Sequence, residues 1–258
     1  MRKIGILIFL TFLIAGIKCF GEGKDLRPQF EKYSIPIYTQ GERGTCSVFA
    51  IVGLLEFEYA CKTGQYTPLS VEYLNWASNK ITGELNDGTY FSDAVKAINK
   101  YGICENSVFP YYIKNYSNKV EPSKTATKDA KKRRGISPVW IKEWDAKTGM
   151  SAGQIAQVKS QLNNGHPVAI GFRWPKKDER YSKEEKGLMY IPPEEGVFDG
   201  HSVLIVGYQD MPKVPGGGYF IFKNSHGPNY SENGYGKMPY GYVEKYANDG
   251  VAIYIDQD

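Results

Sequence analysis

The chain has 258 residues, a formal net charge of +4, and 41% hydrophobic and 23% charged residues, the make-up of a folded globular protein rather than a disordered one. Its 28 glycines and 14 prolines follow no repeating period, which excludes collagen-like and solenoid architectures. The length suits one large domain or two lobes sharing a cleft.

Arg2 and Lys3 precede a 14-residue apolar run, Ile4 to Ile17, short of the ~20 residues a membrane-spanning helix needs. A basic start, a short apolar stretch and small residues after it predict a signal peptide over residues 1–21, cut after Gly21. The protein is then secreted or periplasmic. Acylation of Cys19 and an uncleaved anchor are the competing readings, and Lys18 directly before the cysteine fits acylation poorly. Removing residues 1–21 takes three basic residues and no acid, leaving a net charge of +1. No nucleic-acid partner is expected from that balance, and no membrane association once the signal is gone. A short extension, residues 22–34, precedes the main domain, residues 35–258.

Residues 46–61 form an almost continuous apolar run, CSVFAIVGLLEFEYAC, too long for a strand and suited to a buried helix that Gly64 closes. A second helix is expected from Ser70 as N-cap, and a third over residues 93–100 with Ser92 as N-cap and Gly102 just beyond. Residues 114–134 carry eight Lys/Arg against Glu121 and Asp129 and are expected to be a solvated basic surface loop. Ser151 to Gln154 matches a capping box for a helix ending near Gly165. From Pro167 onward the texture becomes strands: PVAIGFRW, HSVLIVGY, GYFIFKN and VAIYID, separated by glycine-rich turns. Helices first and strands later predict an α+β protein with a helical lobe beside a β lobe. Of the four cysteines, Cys19 leaves with the signal. In an exported protein Cys61 and Cys104 are expected to pair, the alternative being two separate buried thiols.

Cys46 falls at the start of the buried helix, where unpaired N–H groups and the helix dipole favour a thiolate. A thiol nucleophile needs a histidine to carry its proton and a third group to orient that histidine. The chain has three histidines, His166, His201 and His226. His201 opens an apolar strand after Gly200, and Asn224 ends the next strand, so both are placed to meet Cys46 where the lobes join. Gln40, six residues before Cys46, offers a side-chain N–H beside the helix N-terminus as an oxyanion donor. His166, in a helix–strand turn, is expected to be solvated. A lone cysteine on an apolar helix is ordinarily a core residue; the Gln–Cys spacing argues for more.

TQGERGTCSVFA, DGHSVLIVGY and YFIFKNSHG resemble the signature blocks of papain-like cysteine peptidases, in order and in spacing. His201 lies 155 residues after Cys46, near the ~130–150 of papain-type enzymes. The resemblance runs from about Ile35 to the C-terminus. It implies a papain-like two-lobe fold with a β-barrel-like C-terminal lobe and the active site in the cleft. It also implies that Cys46 is the nucleophile, His201 the general base and acid, Asn224 the orienting group and Gln40 the oxyanion-hole side chain. Gly88 would pair with an extended substrate, Tyr90 and Phe91 would line a hydrophobic pocket or else be plain packing, and Gly200 would face the substrate. The implied partner is a peptide or protein cut by a monomer, without cofactor or metal.

The departures are specific. Where the signature has a cysteine three residues before the nucleophile and an aromatic just after it, this chain has Arg43 and Ser47. Disulfides anchored at Arg43 and near Ala77 therefore cannot form. Only residues 22–34 separate the expected signal from the domain, so no long inhibitory propeptide is expected. His226 stands where the signature has tryptophan. A catalytically silent papain-fold binding protein and a Cys-His amidase or acyltransferase are the alternatives. Retention of both Cys46 and His201 argues against the first, and Asn224 in the third position argues against the second.

Overall fold

The computed structural model describes residues 21–113, 120–180 and 182–256. Residues 1–20 of the expected signal, including Cys19, and the stretch 114–119 of the basic segment lie outside the described residues. The chain opens with strand β1 (Gly23–Asp25) and helix α1 (Arg27–Lys32). β1 pairs antiparallel with β6 (Val197–Asp210), and Leu26 and Phe30 are fully buried. Residues 22–34 are thus packed into the body of the protein, because Leu26 and Phe30 have nowhere else to bury their side chains.

The helical lobe consists of α2 (Cys46–Thr63), α3 (Val71–Thr82), α4 (Phe91–Tyr101) and α5 (Lys124–Ala130). α2 is buried along nearly its whole length and ends on Gly64 in the left-handed conformation, as its unbroken apolar run requires. α3 starts where its cap is: Ser70 accepts the Tyr73 N–H. α4 begins two residues earlier than expected, with Tyr90 and not Ser92 at the N-cap, because Phe91 turns inward and is 1% exposed. The basic segment is not a solvated loop throughout. Ser123 caps α5, Ala126 and Ala130 are buried, and Arg133 is paired with both Glu105 and Asp129.

The second lobe is one nine-stranded sheet with order β2-β9-β3-β6-β7-β8-β5-β4, and β1 on β6. Its remaining strands are β2 (Ile136–Lys142), β3 (Val168–Pro175), β4 (Glu184–Glu185), β5 (Leu188–Met189), β7 (Gly218–Lys223), β8 (Tyr235–Pro239) and β9 (Ala247–Ile255). Helices α6 (Ala152–Asn163) and α7 (Tyr240–Tyr246) belong to this half. The pairing of β3 with β9 slips between Gly171 and Phe172, and that of β3 with β6 between Phe172 and Arg173. Such bulges re-aim side chains, and these flank His201, the partner of Phe172. The architecture is the expected α+β arrangement of two lobes.

The pairing of Cys61 with Cys104 is not found, and both are free thiols. Cys61 is exposed near Tyr33 and Lys32. Cys104 is buried against Ser70 and Asp129. Their exposures and neighbours differ, so the fold gives them no shared surroundings in which to pair. His166 is also not simply solvated: its Nδ1 lies 2.9 Å from Glu58 Oε1, and that carboxylate raises the imidazole pKa. No described helix is long and apolar enough to cross a membrane.

Candidate active site

The turn before α2 is tied at both ends by one phenol. Tyr111 Oη donates to Gln40 O at 2.8 Å and accepts from Thr45 Oγ1 at 2.8 Å. Cys46 follows as the first residue of α2, 8% exposed. Thr45 at the N-cap makes no side-chain bond to the helix, so the orphan N–H groups of the first turn are left for other acceptors. Burial pushes the Cys46 thiol pKa up, while the N–H groups of Ser202, Ser47 and Cys46 itself act in the opposite direction. The thiol donates to Gly200 O at 3.8 Å.

His201 comes from the other lobe, on β6, and is 5% exposed. Its Nε2 lies 2.9 Å from Asn224 Oδ1, which also accepts the Ser225 N–H at 2.8 Å. A backbone N–H can only donate, so that atom is the amide oxygen and His201 Nε2 must carry the proton. The neutral ring then keeps Nδ1 bare. Asn224 Nδ2 in turn donates to His226 Nδ1 at 3.3 Å. Burial and the neighbouring His226 lower the His201 pKa to about 3, against the bond to Asn224 that raises it. The ring of Trp174 meets His201 edge-on at 4.4 Å, and the His226 ring lies at 4.6 Å, tilted by 30°. Both rings thus pack against His201, and both His201 and Asn224 are buried.

Cys46, His201, Gly88, Tyr90, Phe91 and Gly200 all line one cleft of about 210 Å³. Gln40 and Asn224 stand behind it. Gln40 Nε2 donates to Arg43 O at 2.8 Å, and its Oε1 accepts from Ser225 Oγ; the amide nitrogen has a second proton to give. Gly88 has φ +83°, and a Cβ there would sit 2.5 Å from Gly44 O, so only glycine lets this strip lie against the loop that leads into Cys46. Its N–H donates to Asn75 Oδ1 at 3.0 Å. Gly200 is also in the left-handed region, at φ +107°, with open space where a side chain would be.

A second cavity of about 490 Å³ shares Tyr90, Phe91, Trp144 and Asp249 as walls and adds Trp140 and Glu143. Tyr90 is half exposed and meets Trp144 edge-on at 5.3 Å. Burial raises the Asp249 pKa to about 7, opposed by the Gly171 N–H and by Lys142. Sequence reasoning misses Ser47, Trp144, Trp174 and Asp249 as parts of the site. Trp174 closes a predicted strand, and Asp249 lies two residues before one, but nothing local marks either as facing the cleft.

The two lobes thus bring together a cysteine at a helix N-terminus and a histidine held by an asparagine amide oxygen, the arrangement that thiol-dependent acyl transfer requires. The chain belongs to the papain family of cysteine proteases, whose family model matches residues 22–254. It is 27% identical to mouse (Mus musculus) cathepsin J over 207 residues, covering 80% of this chain and 57% of that protein. It is 28% identical to bovine (Bos taurus) cathepsin S over 203 residues, covering 77% and 54%. The chain thus spans little more than half the length of these relatives. Among solved structures, xylellain, a cysteine protease from Xylella fastidiosa, has the same fold with a TM-score of 0.74 at 22% identity, covering 100% of this chain and 95% of that one. Digestive procathepsin L 3 of Tenebrio molitor gives 0.62 at 21% identity, covering 92% and 72%.

Proposed function

We propose that the protein is an exported, monomeric cysteine peptidase that hydrolyses peptide bonds through an acyl-enzyme on Cys46. The observation that carries this reading is the double acceptance at Asn224 Oδ1, from Ser225 N–H and His201 Nε2. It leaves His201 Nδ1 as the ring atom able to take a proton. Burial works against a charge on either Cys46 or His201 alone, so the proton moves between them and the two charges form together as a thiolate–imidazolium pair. Sγ then bonds to the scissile carbonyl carbon. The Cys46 N–H and the second proton of Gln40 Nε2 receive the oxyanion. As the C–N bond breaks, the His201 proton goes to the leaving amine. Water, giving its proton to His201, attacks the thioester, and the acid leaves as the thiol is restored. The substrate lies extended along the Gly88 strip, where the Gly88 carbonyl is left to pair with it, and its side chains enter the aromatic cavity of Tyr90, Phe91 and Trp144. The basic start and apolar run of residues 2–17 support export.

Labelling with a thiol-directed epoxide, followed by mass spectrometry of the adduct, tests the reading. Cys46 should react well ahead of Cys61 and Cys104, and Cys46→Ala should lose peptide turnover by roughly 10³-fold or more. Equal labelling of the three thiols, or turnover retained in the alanine variant, would remove it.

A further inference from the structure

Arg43 is 5% exposed and makes bonds that its place in a turn would not suggest. Its Nη1 and Nη2 donate to Glu72 at 2.7 and 3.3 Å. Its Nε and Nη2 donate to Asp87 at 3.1 and 2.7 Å. Nη1 also donates to Tyr112 O at 2.8 Å. The guanidinium carbon lies 4.7 Å from the centroid of the Tyr111 ring. One planar group therefore joins the loop that carries Cys46 to α3, to the segment around Tyr112, and to the residue before Gly88. The far side of the strip is held by amides: Asn75 and Asn79 both donate to Asn86 O, at 3.2 and 3.1 Å. On the near side, beyond Arg43, Ser47 Oγ accepts the Thr89 N–H at 3.0 Å.

We propose that Arg43 is a positioning residue for the substrate, clamping the strip 86–89 against the nucleophile's loop so that the Gly88 backbone and Cys46 stay in register. This rests on the peptidase reading above. The two carboxylates differ in freedom: the Glu72 side chain is 2% exposed and that of Asp87 22%, and Asp87 lines the cleft. Without the guanidinium they would repel each other in a site of low dielectric. Asp87, the one with access to water, would swing outward and take Gly88 with it. An ammonium in place of the guanidinium is a single point of charge. It lacks the planar fork that satisfies two carboxylates and a carbonyl at once.

The test compares the full chain with its Arg43→Lys, Arg43→Met and Arg43→Met/Asp87→Asn variants on two substrates. One is an extended peptide amide that reaches Gly88. The other is a single-residue ester that does not. In Arg43→Lys the ratio of kcat/KM, peptide over ester, should fall about tenfold. Most of that fall should lie in KM, since pairing with the Gly88 backbone holds bound substrate and transition state alike. Arg43→Met should fall further, and Asp87→Asn on that background should recover part of the ratio by removing the repulsion. Melting curves identify variants that fail to fold, and Arg43→Lys, which keeps the charge, carries the test if Arg43→Met is one of them. An unchanged ratio in Arg43→Lys, or an equal loss on both substrates, would overturn the proposal while leaving the peptidase reading in place. Absence of turnover by the parent chain on either substrate would overturn both.

Discussion

His226 shows how one ring can set a pH limit. It is exposed on one side, yet its ring lies 4.6 Å from that of His201. Burial and Lys177 hold its pKa below the usual value, so its charge appears only on acidification. A cationic His226 then disfavours a second positive charge on His201, which becomes an imidazolium in the proposed mechanism when it takes the Cys46 proton. Activity should therefore fall earlier on acidification in the parent than in His226→Trp, whose acid limb in kcat/KM against pH should lie lower by about half a unit to one unit. The indole should also raise the rate by shielding the His201–Asn224 bond better. Superimposable acid limbs would make His226 a bystander. Cys46, His201 and Asn224 can be singled out from sequence because each sits in a short block with its own spacing. Asp249 and Trp144 cannot, because their place in the cleft depends on how β9 and the loop after β2 meet α4.

At the scale of elements, local chemistry decides where most helices begin. Ser151 accepts the Gln154 N–H and Gln154 Oε1 accepts the Ser151 N–H, the reciprocal pair that the spacing alone predicts. Ser151 is exposed and lies outside the cleft, so Ser151→Ala should cost about 1 kcal/mol in urea unfolding with kcat/KM unchanged. A larger loss would mean that the cap also serves tertiary packing. α4 and α5 do not follow local cues to the same degree. Phe91 draws the start of α4 forward because its ring is buried in the core. In α5 the buried Ala126 and Ala130, together with the bond from Glu105 N–H to Asp129, turn part of a highly charged stretch into packed helix. Charge density hides that pattern, since two alanines make a weak apolar signal.

Across the whole molecule, the lobes are joined by buried charge as well as by apolar packing. Glu56 on α2 is fully buried, accepting from Tyr38 Oη at 2.7 Å and from the Leu69 N–H at 2.9 Å. Lys223 on β7 is also buried, 5.0 Å from the centre of the Tyr38 ring. Burial pushes both groups toward neutrality, and each favours the charge on the other. Removing Lys223 takes away the cation that favours the Glu56 charge, so Lys223→Met should lower the denaturant midpoint. Adding Glu56→Gln to that variant should recover part of the loss, measured by denaturant midpoints in a double-mutant cycle. Strict additivity would show that the two do not interact across the lobes. Lys223 directly precedes Asn224, so the same pair bears on the strand end that orients His201.

The α+β class, the buried helix behind Cys46, the main strands of the second lobe and the blocks around Gln40, Cys46, His201 and Asn224 are all legible in the sequence. Apolar runs, caps and motif spacings act over a few residues, and a linear chain displays them directly. Only the tertiary structure decides that Cys61 and Cys104 stand apart, that His166 pairs with Glu58, and that part of the basic segment packs as α5. It also decides that Arg43 bridges to Asp87, 44 residues away. Partners of this kind are chosen by the register in which the lobes and loops come together. The energy of a buried ion pair depends on distance and dielectric, which the folded chain sets and the order of residues does not show.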